Sequence, residues 1–488
     1  MSRSLDDIRQ ALRRAGLLTG EFGTLPATVD AITDDSRAVQ HDALFLAVRG
    51  AERDGHAYLA IAAERGATAA IVDDSARTNL PALVVSDTRR AAAVAATAFY
   101  GEPGARLRLV GVTGTNGKTT TVGMLRQLLD EPRAHAASIG TLGVLVGGAG
   151  EPFDGGSGLT TAGPVELQRV LRALHDGGVR TVAMETSSHA LHQRRVEGLT
   201  FAAGVFTNLT RDHLDYHGTM ESYFAAKALL VDQLAPDGVA VVNADDRAWD
   251  SLPPAPRTIR FGLGAAADVR ARHLRSAPDG SRFALVLGNE SHDVVLPMIG
   301  DFNVANALAA AAAAWALGVS GEKIAARIAT MPQVPGRLEI VNERPTVLRD
   351  YAHTPDSLER AIAAVRPFAA GQLIVVFGCG GDRDRGKRPE MGRIAARGAD
   401  VAIVTSDNPR TEDPERILDD IEAGMEGVPH ERIEDRRDAI ARALEIAGSN
   451  DLVLLAGKGH ETYQVRGTTR LPFDERQIVH EIVTERVS

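Results

Sequence analysis

The segment that most constrains the fold is GTNGKTT, which covers residues 114–120. The apolar run RLVGVTG before it is typical of a strand, and a helix is predicted from about Thr119 to Leu129. Glycines in such a loop let backbone N–H groups approach an anion, and the helix N-terminus adds the positive end of its dipole. The sequence therefore predicts a strand–loop–helix unit that binds phosphate groups.

Two side chains of this loop have predicted roles. Lys118 is expected to reach the terminal phosphates of a nucleotide, and the Thr119 hydroxyl is expected to bind Mg²⁺. The strict pattern G-x-x-x-x-G-K-[ST] requires glycine at position 112, where this chain has Val112. The loop is therefore a shorter variant, and the alternative interpretation is a glycine-rich turn with an exposed lysine.

Strand patterns alternate with helical patterns along the 488 residues, which predicts an α/β protein. Segments rich in Gly and Pro at 101–106 and 332–337 divide the chain into three predicted domains, residues 1–102, 103–334 and 335–488. The central domain is expected to hold a doubly wound, mainly parallel sheet around the phosphate loop, with an antiparallel segment at 268–298. The flanking domains are expected to be α/β, and the C-terminal one Rossmann-like.

Polar motifs follow the predicted strands of the C-terminal domain. These are DYAHTP from Asp350, GCGGDRD from Gly378, SDNPR from Ser406 and GKGHE from Gly457. Because ligands gather at the carboxyl ends of parallel strands, the motifs predict a second binding site there.

Composition narrows the classes of partner. The net charge is −10 with acidic and basic residues intermixed, which argues against a general nucleic-acid binder. No apolar run has membrane-spanning length, and the longest, at 307–317, is typical of a buried helix. Residues 1–10 show no secretory signal, and Cys379 is the only cysteine, which excludes an intramolecular disulfide. We expect a cytoplasmic protein without nucleic-acid or membrane partners, and a monomer.

Several titratable side chains of the central domain are candidates for chemistry. Glu185 ends the apolar run TVAMET, where Mg²⁺ binding and capping of the following turn are equally favoured alternatives. The loop at 207–218 carries Asp212, His213 and His217, which can serve a metal or a phosphate, although a lone histidine is more often structural. Spacing alone places Lys227 on a solvated helix surface.

The ordered set of motifs resembles the Mur ligase family over nearly the whole chain. A phosphate loop alone is shared by many families, whereas this set is highly specific. The motifs are DDSR (34–37), GTNGKTT (114–120), TT (160–161), METSSHAL (184–191), FTNLTRDHLDYHG (206–218), FNVANALAA (302–310), GR (336–337), DYAHTP (350–355), GCGGDRDRGKRP (378–389), DNPR (407–410) and GKGHE (457–461). The resemblance implies that the three predicted domains bind, in chain order, a UDP-sugar substrate, ATP and an amino acid.

The resemblance implies ATP and Mg²⁺ as cofactors. The implied ATP-binding positions are Gly114, Thr115, Asn116, Gly117, Lys118, Thr119, Thr120, Asn303, Asn306, Arg337 and Asp350. The implied catalytic positions are Lys118, Glu185, His213 and Lys227, and those associated with Mg²⁺ are Thr119, Glu185, His213 and Lys227. Lys227 matches a family lysine that is carbamylated to N6-carboxylysine, which reverses the expectation of a solvated lysine.

Two further groups of positions resemble the family's substrate contacts. Those that would hold a UDP-N-acetylmuramoyl dipeptide are Ser36, Thr160, Thr161, Ser187, Gln193 and Arg195. Many relatives carry Asn before the Thr pair, where this chain has Leu159, so one contact to the nucleotide sugar is absent or supplied elsewhere. Those that would hold meso-diaminopimelate are Arg383, Asp407, Asn408, Pro409, Arg410, Gly457 and Glu461.

Arg410 is the position expected to select the amino acid. Diaminopimelate differs from lysine by an extra carboxylate, which a guanidinium can grip through two charge-assisted hydrogen bonds. The alternative interpretation of Arg410 is a surface arginine after a proline turn.

The activity implied by the resemblance is ATP-dependent amide-bond formation in peptidoglycan biosynthesis, and with it a role in cell-wall biogenesis, cell shape and cell division. The D-glutamate γ-carboxylate of UDP-N-acetylmuramoyl-L-alanyl-D-glutamate would be phosphorylated and then attacked by an amine of diaminopimelate. Such chemistry depends on positioning and charge neutralisation. The alternatives are a MurF-type or folylpolyglutamate ligase, against which DNPR and GGDRD argue, a phosphotransferase, and a non-catalytic nucleotide-sugar sensor.

Overall fold

The structure, a computed structural model, describes residues 2–50, 53–156, 158–277 and 279–487. Its strands form three large sheets in chain order, which we call the N-terminal, central and C-terminal sheets, with two short two-stranded ladders.

The N-terminal sheet is built from short apolar runs. Its strands and those of the adjoining ladder are β1 (Arg3–Ser4), β2 (Leu18–Phe22), β3 (Thr28–Val29), β4 (Ala31–Thr33), β5 (Ala43–Leu46), β6 (Ala67–Val72) and β7 (Ala82–Val85). The sheet order is β2-β7-β6-β5-β4, and all pairs are parallel except β2 with β7. β1 pairs with β3.

The central sheet is the largest. Its strands are β8 (Arg108–Thr113), β9 (His135–Gly140), β10 (Gly143–Val146), β11 (Glu151–Phe153), β12 (Val179–Glu185), β13 (Phe201–Phe206), β14 (Leu234–Asn243), β15 (Arg257–Gly262), β16 (Val269–Ala277), β17 (Gly280–Leu287) and β18 (Glu290–Leu296). The order is β11-β10-β9-β12-β8-β13-β14-β15-β16-β17-β18, parallel from β9 to β16 and antiparallel at both ends. The predicted parallel sheet and the predicted antiparallel segment are both confirmed.

The C-terminal sheet contains the predicted strands that precede the four polar motifs. Its strands are β19 (Glu339–Glu343), β20 (Thr346–Asp350), β21 (Leu373–Phe377), β22 (Val401–Val404), β23 (Glu431–Arg432) and β24 (Leu452–Ala456), and a separate hairpin contains β25 (Tyr463–Arg466) and β26 (Thr469–Pro472). The order is β19-β20-β24-β21-β22-β23, and only β19 is antiparallel to its neighbour.

Helices cover both faces of each large sheet. They are α1 (Leu5–Arg14), α2 (Leu59–Glu64), α3 (Thr88–Phe99), α4 (Lys118–Leu129), α5 (Pro164–Asp176), α6 (Ser188–His192), α7 (Leu214–His217), α8 (Met220–Ala228), α9 (Asp301–Ala316), α10 (Gly321–Ile328), α11 (Pro355–Val365), α12 (Lys387–Gly398), α13 (Pro414–Glu422), α14 (Arg436–Ile446) and α15 (Glu475–Val487). Short 3-10 turns lie at Ser36–Ala38, Gly55–Tyr58, Ser75–Arg77, Pro103–Arg106, Val231–Gln233, Arg247–Ser251 and Arg366–Phe368.

The cores explain why these strands are almost continuously apolar. Strands of a sheet covered on both faces bury every side chain, and the five residues of β21 are all buried. In the central sheet α4, α9 and α10 pack on one face and α5 and α6 on the other. The Ala-rich α9 is buried along most of its length, as predicted, because small side chains let it approach the sheet closely. Among the described residues, no helix is long and apolar enough to cross a membrane.

The register of the central sheet places the phosphate loop at its middle. β8 lies between β12 and β13, and all three run parallel. Their carboxyl ends therefore reach the same edge of the sheet. The segments that follow them meet at that edge, as expected for a doubly wound fold.

A buried ion pair joins the last two helices. Arg436 donates from Nε to Glu475 Oε1 at 2.8 Å, and both side chains are fully buried. Arg436 also donates to the Ala456 carbonyl at 2.8 Å. The next arginine, Arg437, forms an exposed pair with Glu481 between the same helices.

We expect Glu475→Gln to lower the free energy of unfolding around α14 and α15 by about 3–5 kcal/mol, because it leaves the Arg436 charge buried without its counter-ion. The matched control, Glu481→Gln, removes the exposed pair and should cost no more than about 1 kcal/mol. Hydrogen exchange of the β24 amides measures both. Equal effects of the two substitutions would contradict the prediction.

Candidate active site

Two glycines of the phosphate loop occupy positions that other residues cannot. Gly114 has φ of +147°, and a Cβ there would lie 1.8 Å from Thr207 Oγ1. Gly117 has φ of +84°, and its Cβ would lie 2.3 Å from Asn306 Oδ1. The loop is therefore enclosed between the end of β13 and the face of α9. Val112 lies inside β8 and is fully buried, so the missing glycine belongs to the strand and not to the turn.

The residues after β13 hold the loop by hydrogen bonds. Thr115 N donates to the Asn208 carbonyl at 2.7 Å, and Asn116 N donates to Asn208 Oδ1 at 2.9 Å. Thr207 Oγ1 donates to the Asn116 carbonyl at 2.7 Å. The first N–H groups of α4 have no acceptor within their own helix, so the loop offers them to an anion.

Lys118 begins α4 and turns back over the loop. Its Nζ donates to the carbonyls of Gly114 at 3.0 Å and Thr115 at 2.7 Å. Burial lowers the pKa of Lys118, an effect that the carboxylates of Glu185 and Asp212 oppose. The alternative of an exposed lysine is wrong, because the side chain is half-buried and hydrogen-bonded inside the loop.

The C-terminal part of the chain contacts the phosphate loop directly. Arg337 Nη2 donates to Thr119 Oγ1 at 3.1 Å, and the Arg337 guanidinium lies 4.6 Å from the centre of the Tyr351 ring. Asn116 Nδ2 donates to Asp356 Oδ2 at 3.1 Å. These contacts form a cleft between the central and C-terminal sheets.

The cleft encloses about 490 Å³, a volume that suits a small-molecule ligand. The predicted positions that line it are Thr115, Asn116, Gly117, Lys118, Thr119, Thr120, Thr160, Glu185, His213, Asn306, Arg337 and Asp350. Burial raises the pKa of Asp350 to about 6, and its Oδ2 accepts a hydrogen bond from Leu338 N. Gly114 does not line the cleft and packs against Thr207 instead. Asn303 does not line the cleft, because it is buried in α9 and donates to the Ile299 carbonyl at 2.9 Å.

Glu185 lies at the carboxyl end of β12 and is almost fully buried. Its Oε1 accepts a hydrogen bond from Thr141 N at 2.8 Å, and its Oε2 accepts one from Thr141 Oγ1 at 3.3 Å. The carboxylate therefore caps the turn after β9, and not the turn that follows its own strand as the alternative interpretation held. It also lines the cleft beside the phosphate loop.

Spacing alone predicted that Lys227 lies on a solvated helix surface. That prediction is wrong, because the side chain lies on α8 and is only 1% exposed. Its Nζ donates to the Gly114 carbonyl at 2.7 Å and lies 4.4 Å from the centre of the Tyr223 ring. Burial, reinforced by the charge of Lys118, lowers the pKa of Lys227 well below its usual range. Its position behind the phosphate loop therefore disfavours the charged ammonium form.

Histidines from α6 and the loop at 207–218 pack together. His189 lies 4.7 Å from His213 and 5.3 Å from His217 between ring centres. Burial lowers the pKa of His189 and of His217 to about 4. His217 pairs with Ser188 Oγ at 3.0 Å.

Asp212, His213 and His217 do not form a metal site by themselves. Over the described ranges, no group of three or more His, Cys, Asp or Glu side chains is arranged to hold a metal ion. Metal binding in the cleft therefore needs donors of other types, such as the Thr119 hydroxyl.

Four of the predicted dipeptide-binding positions form one hydrogen-bonded group. Arg195 donates from Nη1 to the Thr161 carbonyl at 2.9 Å and from Nε to Gln193 Oε1 at 3.0 Å. Thr161 Oγ1 lies 3.3 Å from Ser187 Oγ. Thr160 stands beside Thr141 at 3.3 Å between hydroxyls. Ser36 begins a 3-10 turn in the N-terminal part and takes no part in these bonds.

A second cavity of about 210 Å³ lies at the carboxyl ends of the C-terminal strands. Most of the predicted diaminopimelate positions line it: Arg383, Asp407, Asn408, Arg410, Gly457 and Glu461. Pro409 does not, and its carbonyl packs against Gly381 instead. Asn408 Nδ2 donates to Glu461 Oε2 at 2.8 Å, and the buried Lys458 donates to the same oxygen at 3.0 Å.

Arg410 is held in a fixed position and is not a mobile surface arginine. Its φ is +53°, and its Nη1 donates to the Gly381 carbonyl at 2.7 Å. The adjoining loops are joined by Glu412, which accepts from Asp382 N at 2.5 Å and from Arg388 Nη2 at 2.8 Å. The neighbouring guanidinium of Arg388 lowers the pKa of Glu412 to about 2.

The two cavities share four lining residues: Asp212, His213, Tyr351 and His353. Only His213 among them was predicted as a site residue, and Asp212 was a weaker candidate. Sequence reasoning also missed Asn243, Asp245, Phe261, Arg360 and Lys387. Tyr351 and His353 stood inside the DYAHTP motif, which was the available signal. Asn243, Asp245 and Phe261 lie at or next to strand ends that carry no recognisable motif, so no sequence signal pointed to them.

A phosphate loop at the switch point of a doubly wound sheet, facing a second α/β unit, is typical of nucleotide-dependent enzymes. The sequence matches the Mur ligase family catalytic domain over residues 28–103, the Mur ligase middle domain over 112–314 and the Mur ligase glutamate ligase domain over 336–459. The chain belongs to the Mur ligase family.

Relatives of known name extend along nearly the full length. The UDP-N-acetylmuramoyl-L-alanyl-D-glutamate–2,6-diaminopimelate ligase of Geobacillus kaustophilus is 46% identical over 93% of this chain and 95% of its own. The enzyme of that name from Synechococcus elongatus is 44% identical over 97% of both. A solved structure of that name has a TM-score of 0.69 and 32% identity and covers 100% of both chains.

We expect Gly117→Ala to weaken ATP binding by at least about tenfold, because its Cβ would collide with Asn306 at the mouth of the loop. Gly143→Ala is the matched control, since Gly143 also has φ of +84° but nothing lies within 4 Å of its Cβ. Calorimetric titration with a non-hydrolysable ATP analogue compares them. Similar losses in both variants would show that backbone strain, and not the collision, is responsible.

Proposed function

We propose that this protein is an ATP-dependent ligase that adds meso-2,6-diaminopimelate to the D-glutamate γ-carboxylate of UDP-N-acetylmuramoyl-L-alanyl-D-glutamate. The observation that carries the proposal is that the phosphate-loop cleft and the cavity around Arg410 meet at four side chains. A phosphorylated carboxylate formed in the first can therefore be attacked by an amine held in the second. The names of the full-length relatives support the same substrates.

The proposed reaction has two steps, and it follows from the positions of the groups in the two cavities. The γ-carboxylate attacks the γ-phosphate of ATP, and ADP leaves with the electron pair of the broken P–O bond. The amine then attacks the carbonyl carbon of the acyl phosphate, and phosphate leaves. Lys118 and the N–H groups of α4 stabilise negative charge on the phosphates. Closure of the C-terminal part through Arg337 excludes water, which would otherwise hydrolyse the acyl phosphate.

The donor set of the cleft fits Mg²⁺. Thr119, Glu185 and His213 line the cleft, and the first two offer the oxygen atoms that Mg²⁺ prefers. Lys227 lies behind the phosphate loop, where a carbamylated side chain would add a third oxygen donor. Bound there, the metal would neutralise charge on the ATP phosphates.

The hydrogen-bonded group of Thr161, Ser187, Gln193 and Arg195 is assigned to the dipeptide end of the nucleotide-sugar substrate. Ser36 and Thr160 are assigned to the same substrate. The neighbouring Leu159 is 49% exposed and offers no polar group. We further propose that the enzyme acts as a cytoplasmic monomer in peptidoglycan synthesis.

Phosphate release with ATP, Mg²⁺ and the UDP-dipeptide tests the function, with meso-diaminopimelate and L-lysine compared as acceptors and the product identified by mass. Release with diaminopimelate and the tripeptide mass support the proposal. Release with lysine alone would keep the ligase class and refute the specificity. A stable phosphorylated product without phosphate release would indicate a phosphotransferase.

We expect Arg410→Ala to raise the KM for diaminopimelate by about 10- to 100-fold, because a charge-assisted contact to its distal carboxylate is lost. The KM values for ATP and the UDP-dipeptide should stay within about threefold. Arg466→Ala is the control, since Arg466 pairs with Glu434 beside Arg410 but does not line the cavity. An unchanged KM for diaminopimelate in Arg410→Ala would refute the assigned contact.

Carbamylation of Lys227 is a separate part of the proposal. A neutral amine is needed to attack CO₂, and burial behind the loop lowers the pKa of Lys227, which favours that form. With ¹³C-labelled CO₂ we expect a carbamate resonance in the native protein that disappears in Lys227→Met together with most of the activity. Lys323→Met, which removes an ion pair with Glu131 away from the cleft, should retain both. A resonance that survives in Lys227→Met would place the carbamate elsewhere.

A further inference from the structure

Amide formation releases a proton at the place where the two cavities meet. The attacking amine carries two hydrogens and the product amide nitrogen keeps one. A base must therefore lie beside the nitrogen as the N–C bond forms. This inference rests on the proposed function, and the residues that can supply the base are the four shared by both cavities: Asp212, His213, Tyr351 and His353.

His353 is the one whose tautomer is fixed by its contacts. Its Nδ1 lies 2.8 Å from the Tyr351 carbonyl, which can only accept, so Nδ1 carries the hydrogen. The lone pair of the neutral ring is then on Nε2. Within the described part of the chain Nε2 has no hydrogen-bond partner, and the side chain lines both cavities.

The ring is also held in place on several sides. It packs edge-on against the Tyr351 ring at 4.7 Å. The next residue, Thr354, caps α11 through a reciprocal hydrogen-bond pair with Ser357. Lys387 Nζ donates to the His353 carbonyl at 2.8 Å. A base that is fixed in this way loses little entropy when the amine arrives.

The other three shared residues are less suited. Burial raises the pKa of Tyr351 above its usual range, so it keeps its proton. Asp212 is a weaker base, and it accepts from His213 N at 2.9 Å and pairs with His213 Nε2 at 3.3 Å. That pairing also occupies His213, which is assigned to Mg²⁺.

The charges around His353 favour a neutral ring that can accept a proton for a short time. Burial, and then the ammonium of Lys387, lower the pKa of His353, whereas Asp212 and Asp407 oppose them. The balance of these effects favours the neutral ring. The two carboxylates stabilise the imidazolium that forms during the reaction.

We propose that Nε2 of His353 is the general base that removes the proton from the attacking amine. The amine nitrogen forms a bond to the acyl carbon, and the bond from that carbon to the phosphate oxygen breaks, its electron pair leaving with phosphate. The nitrogen proton passes to Nε2. The imidazolium returns it to solvent when the products leave.

The variant His353→Asn tests this, because the asparagine amide can still donate to the Tyr351 carbonyl but provides no equivalent of Nε2. Acyl-phosphate formation is measured without amine, as positional isotope exchange in ¹⁸O-labelled ATP with the UDP-dipeptide. Amide formation is measured as tripeptide. We expect exchange within about threefold of native and tripeptide formation lower by about 10²- to 10⁴-fold.

Three further variants make the result specific. His353→Gln should show the same separation of the two steps. His353→Ala should regain part of its tripeptide rate when free imidazole is added. His430→Asn, which changes a histidine bound to Glu422 far along the C-terminal sheet, should behave like the native enzyme.

The outcomes of these measurements distinguish a wrong assignment of His353 from a wrong proposed function. Native-like tripeptide formation in His353→Asn would overturn the assignment. Loss of exchange together with tripeptide formation in all His353 variants would also overturn it, because His353 would then act before the amine does. Absence of exchange in the native enzyme would instead refute the proposed function, and with it the reaction that this base serves.

Discussion

The close contact between the phosphate loop and the residues that enclose it is the constraint on which the other features depend. Gly114 touches Thr207 and Gly117 touches Asn306, with no room for a side chain at either position. This packing fixes the backbone of a loop that has few side chains of its own to hold it. The end of β13 and the face of α9 thereby determine where the N–H groups of α4 can meet an anion. Arg337, from the C-terminal part of the chain, donates a hydrogen bond to Thr119 of the same loop.

Ionisable groups are buried around that loop, and their desolvation costs free energy. A loop with a purely structural role would not require them. Glu185 and Lys227 are almost fully buried, and Lys118 is half-buried. Charged groups in such places are expensive unless they are paired or neutralised. Thr141 provides hydrogen bonds for Glu185, while Lys227 is favoured as the neutral amine. Buried ionisable groups of this kind are typical of functional sites that bind charged ligands.

The C-terminal sheet contributes a second set of fixed loops. Arg388 and Glu412 hold the two loops that carry Arg383 and Arg410, so both guanidinium groups are presented from a rigid frame. Since this cavity and the nucleotide cleft share lining residues, reactants bound in each come within reach of one another. This arrangement suits a reaction that depends on positioned charges and not on a nucleophilic side chain.

The sequence by itself determined the alternation of strands and helices, the parallel order and the phosphate loop, because these depend on local periodicity and on glycine. Most of the positions that the motif resemblance selected line the two cavities. Only the tertiary structure decided that Lys227 is buried, that Glu185 caps the turn of a neighbouring strand, that Asn303 faces the interior, and that His353 has its Nε2 lone pair where the cavities meet. Burial, tautomer and distance depend on which elements pack together, and spacing along the chain carries no information about that packing.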